Sequence, residues 1–104
     1  MLGWPQEVGG AVSLEQRIND DYVQAMKAGD QTKKDALRLL RAALKNAAIE
    51  ARPAAGQLDD AAVTRVLQHQ AKMRRDSIEQ YGRGGRADLV AAESAELAII
   101  ESYL

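Results

Sequence analysis

Residues 30–51 read DQTKKDALRLLRAALKNAAIEA. Leu37, Leu40, Leu44 and Ala47 recur at steps of three and four, the spacing of one face of an α-helix and not the alternation of a strand. Nearly every other residue here is a strong helix former. Ala36 and Ala43 flank the leucines and let another helix approach closely. Asp30 suits the helix N-terminus, where a carboxylate accepts from free N–H groups and meets the positive end of the dipole. Pro53 and Gly56 break the chain beyond it. The opposite side carries Lys34, Arg38, Arg41 and Lys45 at steps of four, three and four. These form a basic ridge about 16 Å long at 1.5 Å per residue.

The same reading extends to both sides. Upstream, Ser13 and Gln16 have the spacing of a capping box. Leu14, Ile18, Tyr22, Ala25 and Met26 make an apolar stripe that ends at Gly29. Downstream, Asp59 caps a helix whose inner side is Val63, Val66, Leu67, Met73, Ile78 and Tyr81, and which Gly82 stops. Lys72 with Asp76 and Arg75 with Glu79 are i,i+4 pairs on it. Gly84 and Gly85 turn the chain into a last helix with Asp88 in its first turn. Its apolar residues are Leu89, Val90, Leu97, Ile99, Ile100, Tyr103 and Leu104. The expectation is an all-α fold of four amphipathic helices, about 14–28, 31–51, 60–81 and 86–103, in a small antiparallel bundle. The short glycine link makes the last two a hairpin.

The 104 residues allow one domain and one core. Residues 1–12 read as a flexible leader ahead of a helical domain over 13–104. They lack the basic start and apolar stretch of a signal peptide, and Trp4 next to Pro5 offers a contact for a neighbour. There is no cysteine, which removes disulfides, thiolate chemistry and Cys-based zinc sites and fits a cytoplasmic location. No apolar run approaches the ~20 residues of a membrane span, and no membrane partner is expected. The net charge of −1 hides a sorting along the chain. After Arg86 only the acids Asp88, Glu93, Glu96 and Glu101 occur, with no base.

Phosphate groups suit the ridge, because a guanidinium fork grips phosphate at two points. Lys34, Arg38, Arg41 and Lys45, extended by Arg52 and joined by Lys72, Arg75 and Arg86, are the nucleic-acid-binding candidates. The same spacing describes a plain solvated face, and the residues alone leave both readings open. Arg83-Gly84-Gly85 is explained by a turn as well as by an RNA-binding element. Arg74 falls near the inner side of its helix and pairs with Glu93 as a structural contact between the last two helices. His69 is the sole histidine and lies on a polar side, without the companions a metal site needs. No catalytic residue, metal or cofactor is expected, because no nucleophile has a base beside it and no phosphate loop is present.

Four segments in register resemble the YqeY-like family of the GatB/YqeY domain group. They are Leu37-Arg38-Leu39-Leu40-Arg41-Ala42-Ala43-Leu44-Lys45-Asn46, Lys72-Met73-Arg74-Arg75-Asp76-Ser77-Ile78 and Gly85-Arg86-Ala87-Asp88-Leu89-Val90. The fourth runs from Glu93 and Glu96 to Glu101-Ser102-Tyr103-Leu104. The resemblance covers the chain from about Ser13 onward. It implies an all-helical protein related to the C-terminal region of the B subunit of tRNA-dependent amidotransferases, which convert Glu- or Asp-tRNA using glutamine as amide donor. It also implies that this is the family's N-terminal helical domain, with the C-terminal helical domain that usually follows Tyr103-Leu104 absent.

The function expected is therefore a non-catalytic tRNA- or RNA-binding accessory domain, with tRNA, an amidotransferase or another protein as partner. The carbon–nitrogen ligase activity associated with the family has no residues here to carry it. The alternative is a protein-interaction or oligomerisation module that docks through the acidic last helix and its apolar end.

Overall fold

The computed structural model describes residues 12–51 and 58–104. The expected leader, Trp4 and Pro5, Arg52 and the Pro53–Gly56 break lie outside those residues, Val12 excepted. Among the described residues there are four helices: α1 Leu14–Ala28, α2 Gln31–Ala51, α3 Asp60–Arg83 and α4 Ala87–Glu101. No strand occurs among the described residues.

Each helix end has a local cause. Ser13 accepts from the N–H of Gln16 at 3.0 Å. The reciprocal half of the expected box is not made, because the Gln16 amide donates forward to Asp20 at 2.9 Å. Gly29 closes α1 in the left-handed conformation at φ 69°, where a side chain would clash with its own backbone. Asp30 accepts from Lys33 N–H at 3.1 Å, and Asp59 from Ala62 N–H at 2.8 Å. Helix α3 runs through Gly82 to Arg83, two residues beyond the expected stop. A glycine permits a helix end without imposing one. The turn is set instead at Gly85, at φ 70°. Helix α4 ends at Glu101, and Tyr103 and Leu104 continue in a tighter turn, donating to Ile100 and Glu101 at 3.1 and 3.0 Å.

Ile18, Leu37, Leu40, Leu44, Val63 and Leu67 are fully enclosed at the centre, with Ala25, Ala36, Ala71 and Ile100 around them. Each large aliphatic side chain removed from water contributes roughly 1.5–3 kcal/mol. Met26 and Met73, expected on inner faces, are 47% and 38% exposed. Each sits at the margin of its stripe, past the residues that touch the core. Helix α4 fully buries only Ile100, while Leu97, Ile99 and Tyr103 are half-buried.

The α3–α4 hairpin makes the most extensive helix contact and α1–α2 the next, while α2 and α3 touch over much less of their length. Polar ties fix the arrangement. Leu14 N–H donates to Asp60 at 2.9 Å, joining the starts of α1 and α3. The Tyr103 hydroxyl donates to Asp21 at 2.6 Å, and Arg17 lies 5.6 Å from that ring. Burial, then the bond to Asp21, raises the phenol pKa above its ordinary value.

Candidate functional site

The basic ridge lies on the side of α2 that faces α1. Lys34 is half-buried and Lys45 exposed. Arg38 donates to Asp35 at 2.8 Å. Arg41 donates through Nε to Asn19 at 2.8 Å, and its guanidinium lies over the Tyr22 ring at 4.5 Å. Between α1 and α2 is an open groove of about 500 Å³, walled by Arg38, Arg41 and Lys45 on one side and by Glu15 and Asn19 on the other.

The remaining candidates are elsewhere. Lys72 pairs with Asp76 at 3.0 Å. Arg75 does not pair with Glu79; it reaches across to Glu101 of α4 at 3.4 Å, while Glu79 meets Arg83 at 3.4 Å. Arg86 pairs with Asp88 at 3.2 Å and holds that carboxyl below its usual range. Five of the seven candidate cations are thus engaged within the chain, and they do not form one continuous surface.

Arg74 is the most enclosed of the cations in ion pairs among the described residues. It donates to Glu93 at 2.9 Å and lies 3.4 Å from Glu96, a second acid that the sequence reading left out. All three side chains are 17–21% exposed. Glu93 and Glu96 are three residues apart on α4, so both meet the one guanidinium. The carboxyl of Glu96 is raised, first by burial and further by Glu93 and Asp35, with Arg74 opposing.

A second groove, about 460 Å³, opens between α2 and α3 where those helices diverge. Ala43, Ala47, Ala62 and Val66 line it, with Asn46 and Glu50 on the α2 rim and Arg65 and His69 on the α3 rim. Leu39, four residues before Ala43, is 47% exposed, and Met73, seven after Val66, is 38% exposed. Both extend the apolar lining by helical register. The reading of the sequence missed this surface. Its signal was the Leu39-Leu40 pair, two adjacent leucines about 100° apart around the helix, of which Leu40 keeps the three-and-four spacing of Leu37 and Leu44 and Leu39 falls to its side.

No group of three or more His, Asp or Glu among the described residues is placed to hold a metal ion. No helix among the described residues is long and apolar enough to cross a membrane.

Fold and surface together define an all-α helical-hairpin domain in which Arg74 and Arg75 tie α3 to α4 through Glu93, Glu96 and Glu101, while the other ion pairs are local. The sequence matches the model of the family described as Yqey-like protein over residues 15–104, and the chain belongs to that family. Its relatives include "Altered inheritance of mitochondria protein 41, mitochondrial" of Eremothecium gossypii, 36% identical over 84% of this chain and 46% of the relative. The protein of the same name from Lachancea thermotolerans is 34% identical over 84% of this chain and 46% of its own. That of Saccharomyces cerevisiae is 34% identical over 90% of this chain and 48% of its own. The chain thus spans about half the length of the curated relatives it matches.

These findings correct two expectations. The relatives are named as mitochondrial, which overturns the cytoplasmic reading. That reading leaned on the missing cysteines, and a cysteine-free composition is neutral between compartments. The relatives' names speak of mitochondrial inheritance and not of tRNA or amidation, which overturns the tRNA-binding, amidotransferase-related reading. The surface gives the physical reason. A phosphate backbone needs a long row of cations, and here Lys72, Arg75 and Arg86 lie on α3 and at the start of α4, each beside a carboxylate, so that the short α2 ridge stands without them.

Proposed function

We propose that this chain is a protein-binding helical domain that receives an amphipathic helix of a partner protein in the α2–α3 groove, and that it works at the mitochondrion, where its relatives' names place them. The observation that carries this reading is the exposure of Leu39 and Met73 beside a groove floored by Ala43, Ala47 and Val66. Large apolar side chains rimming an open apolar groove are what a docked helix covers with its i, i+3, i+4 and i+7 positions. The rims specify the occupant further. Glu50 on one edge favours a basic flank, and Arg65 on the other favours an acidic one. A helix apolar along one stripe, basic on one flank and acidic on the other matches both.

A photo-crosslinking residue in place of His69, an exposed position on the rim, tests this in the native cell alongside subcellular fractionation. The expected result is a single crosslinked protein in the mitochondrial fraction, carrying such a helix, and its loss in a Leu39→Glu, Met73→Glu variant of unchanged melting temperature. Crosslinks that persist in that variant reject the groove. Fractionation away from mitochondria rejects the location.

A further inference from the structure

We propose that the α1–α2 groove is a binding site for a phosphate monoester, seated against Arg41 between Arg38 and Lys45. This site is separate from the α2–α3 groove and stands or falls independently of the helix-docking reading.

Arg41 carries the argument. Its guanidinium is fixed twice, by the Nε bond to Asn19 at 2.8 Å and by the Tyr22 ring 4.5 Å away. Neither contact uses the two Nη groups, and Arg41 makes no other hydrogen bond among the described residues. An arginine already ordered, with its fork open, loses little conformational freedom on gripping an oxyanion. Arg38 and Lys45 lie one turn to either side on α2, about 10 Å apart along the axis at 1.5 Å per residue. All three line the same groove.

The charge count selects the ligand. The walls hold Arg38, Arg41 and Lys45 against Glu15, which is also approached by Leu58 N–H at 3.4 Å. The surplus of two positive charges matches a phosphate monoester, which carries about −1.5 to −2 near pH 7. The Arg38–Asp35 contact competes weakly, since both side chains are more than one-third exposed. A volume near 500 Å³ admits a small organic phosphate and falls within the usual ligand range of roughly 300–1,000 Å³. The phosphate belongs either to a soluble ester or to the headgroup of phosphatidic acid.

The test uses the 104-residue chain in a ¹H–¹⁵N titration that follows the Arg41 Nε–H and Asn19 signals. Glycerol 3-phosphate is the soluble probe, and phosphatidylcholine vesicles with and without phosphatidic acid are the lipid probe. The expected result is saturable change at Arg41 and Asn19 with one of the two. It is weakened about tenfold or more by Arg41→Lys, which keeps the charge and removes the fork. Saturation by the ester assigns a soluble ligand, and binding only to phosphatidic acid vesicles assigns the headgroup. Should the spectrum of Arg41→Lys show disturbed packing, Lys45→Gln, at an exposed position, gives the same reading. The proposal is overturned if shifts stay linear in concentration, spread equally to Lys33 and Lys72, or persist undiminished in Arg41→Lys. Absence of response to either probe overturns it as well.

Discussion

Arg74 shows what a single charge does in this fold. It sits at the join of α3 and α4, with Glu93 at 2.9 Å and Glu96 at 3.4 Å. One guanidinium cannot fully compensate two half-enclosed carboxylates, and the shortfall falls on Glu96. The two acids should therefore respond oppositely to neutralisation. Glu93→Gln removes the charge-assisted bond, and about 1–2 kcal/mol of stability at pH 7 should be lost. Glu96 has a folded pKa above its unfolded value. Its neutral form favours folding below the ordinary Glu range, and that contribution is lost as pH rises through the raised value. Glu96→Gln should thus be as stable as the parent in acid and gain on it as pH rises. Urea unfolding of all three proteins at several pH values checks both signs. A parallel loss in Glu93→Gln and Glu96→Gln would show that the acids share Arg74 equally.

At the scale of the element, the helix ends test how far local chemistry fixes structure. Ser13, Gly29, Asp30 and Asp59 announce themselves, because a cap is a bond between neighbours in sequence. Helix α1 and helix α2 consequently run over the expected residues. Gly82 misleads, because a glycine is compatible with both a helix and its end, and the choice is made three residues later at Gly85. Gly29, in the left-handed region, and Gly82, inside a helix, should therefore differ on substitution. Gly29→Ala forces a side chain into the left-handed region and should lower stability by about 1–2 kcal/mol. Gly82→Ala meets nothing within 4 Å and replaces glycine in a helix, so it should raise stability by up to about 1 kcal/mol. For a chain of this size each kcal/mol is a shift of roughly 4–8 °C in melting temperature, measurable by circular dichroism. The pairings of long side chains were far less legible. Arg75 has Glu79 one turn away, yet it meets Glu101 on α4. Sequence spacing ranks neighbours on one helix and is blind to what the next helix brings.

At the scale of the whole, the described residues form two helix pairs, α1–α2 and α3–α4, joined through the leucines of α2 and leaving a seam between α2 and α3. Two adjacent residues separate what holds this assembly from what it presents. Leu40 points inward and is 1% exposed, whereas Leu39 looks out over the seam and is 47% exposed. The substitution to alanine is chemically identical at both. At Leu40 it leaves a cavity among Leu37, Leu44 and Leu67, and about 2–5 kcal/mol should be lost, with both helix pairs unfolding together in one transition. At Leu39 most of the removed surface already faces water, so the loss should stay near 0.5 kcal/mol. Binding should invert that order, because Leu39 is available to a docked helix and Leu40 is not. Leu39→Ala should weaken capture of the partner helix while leaving the unfolding midpoint nearly unchanged. Chemical unfolding and crosslinking yield measured on the two variants would separate the roles. Equal destabilisation by both would place Leu39 in the core and remove the groove as a docking surface.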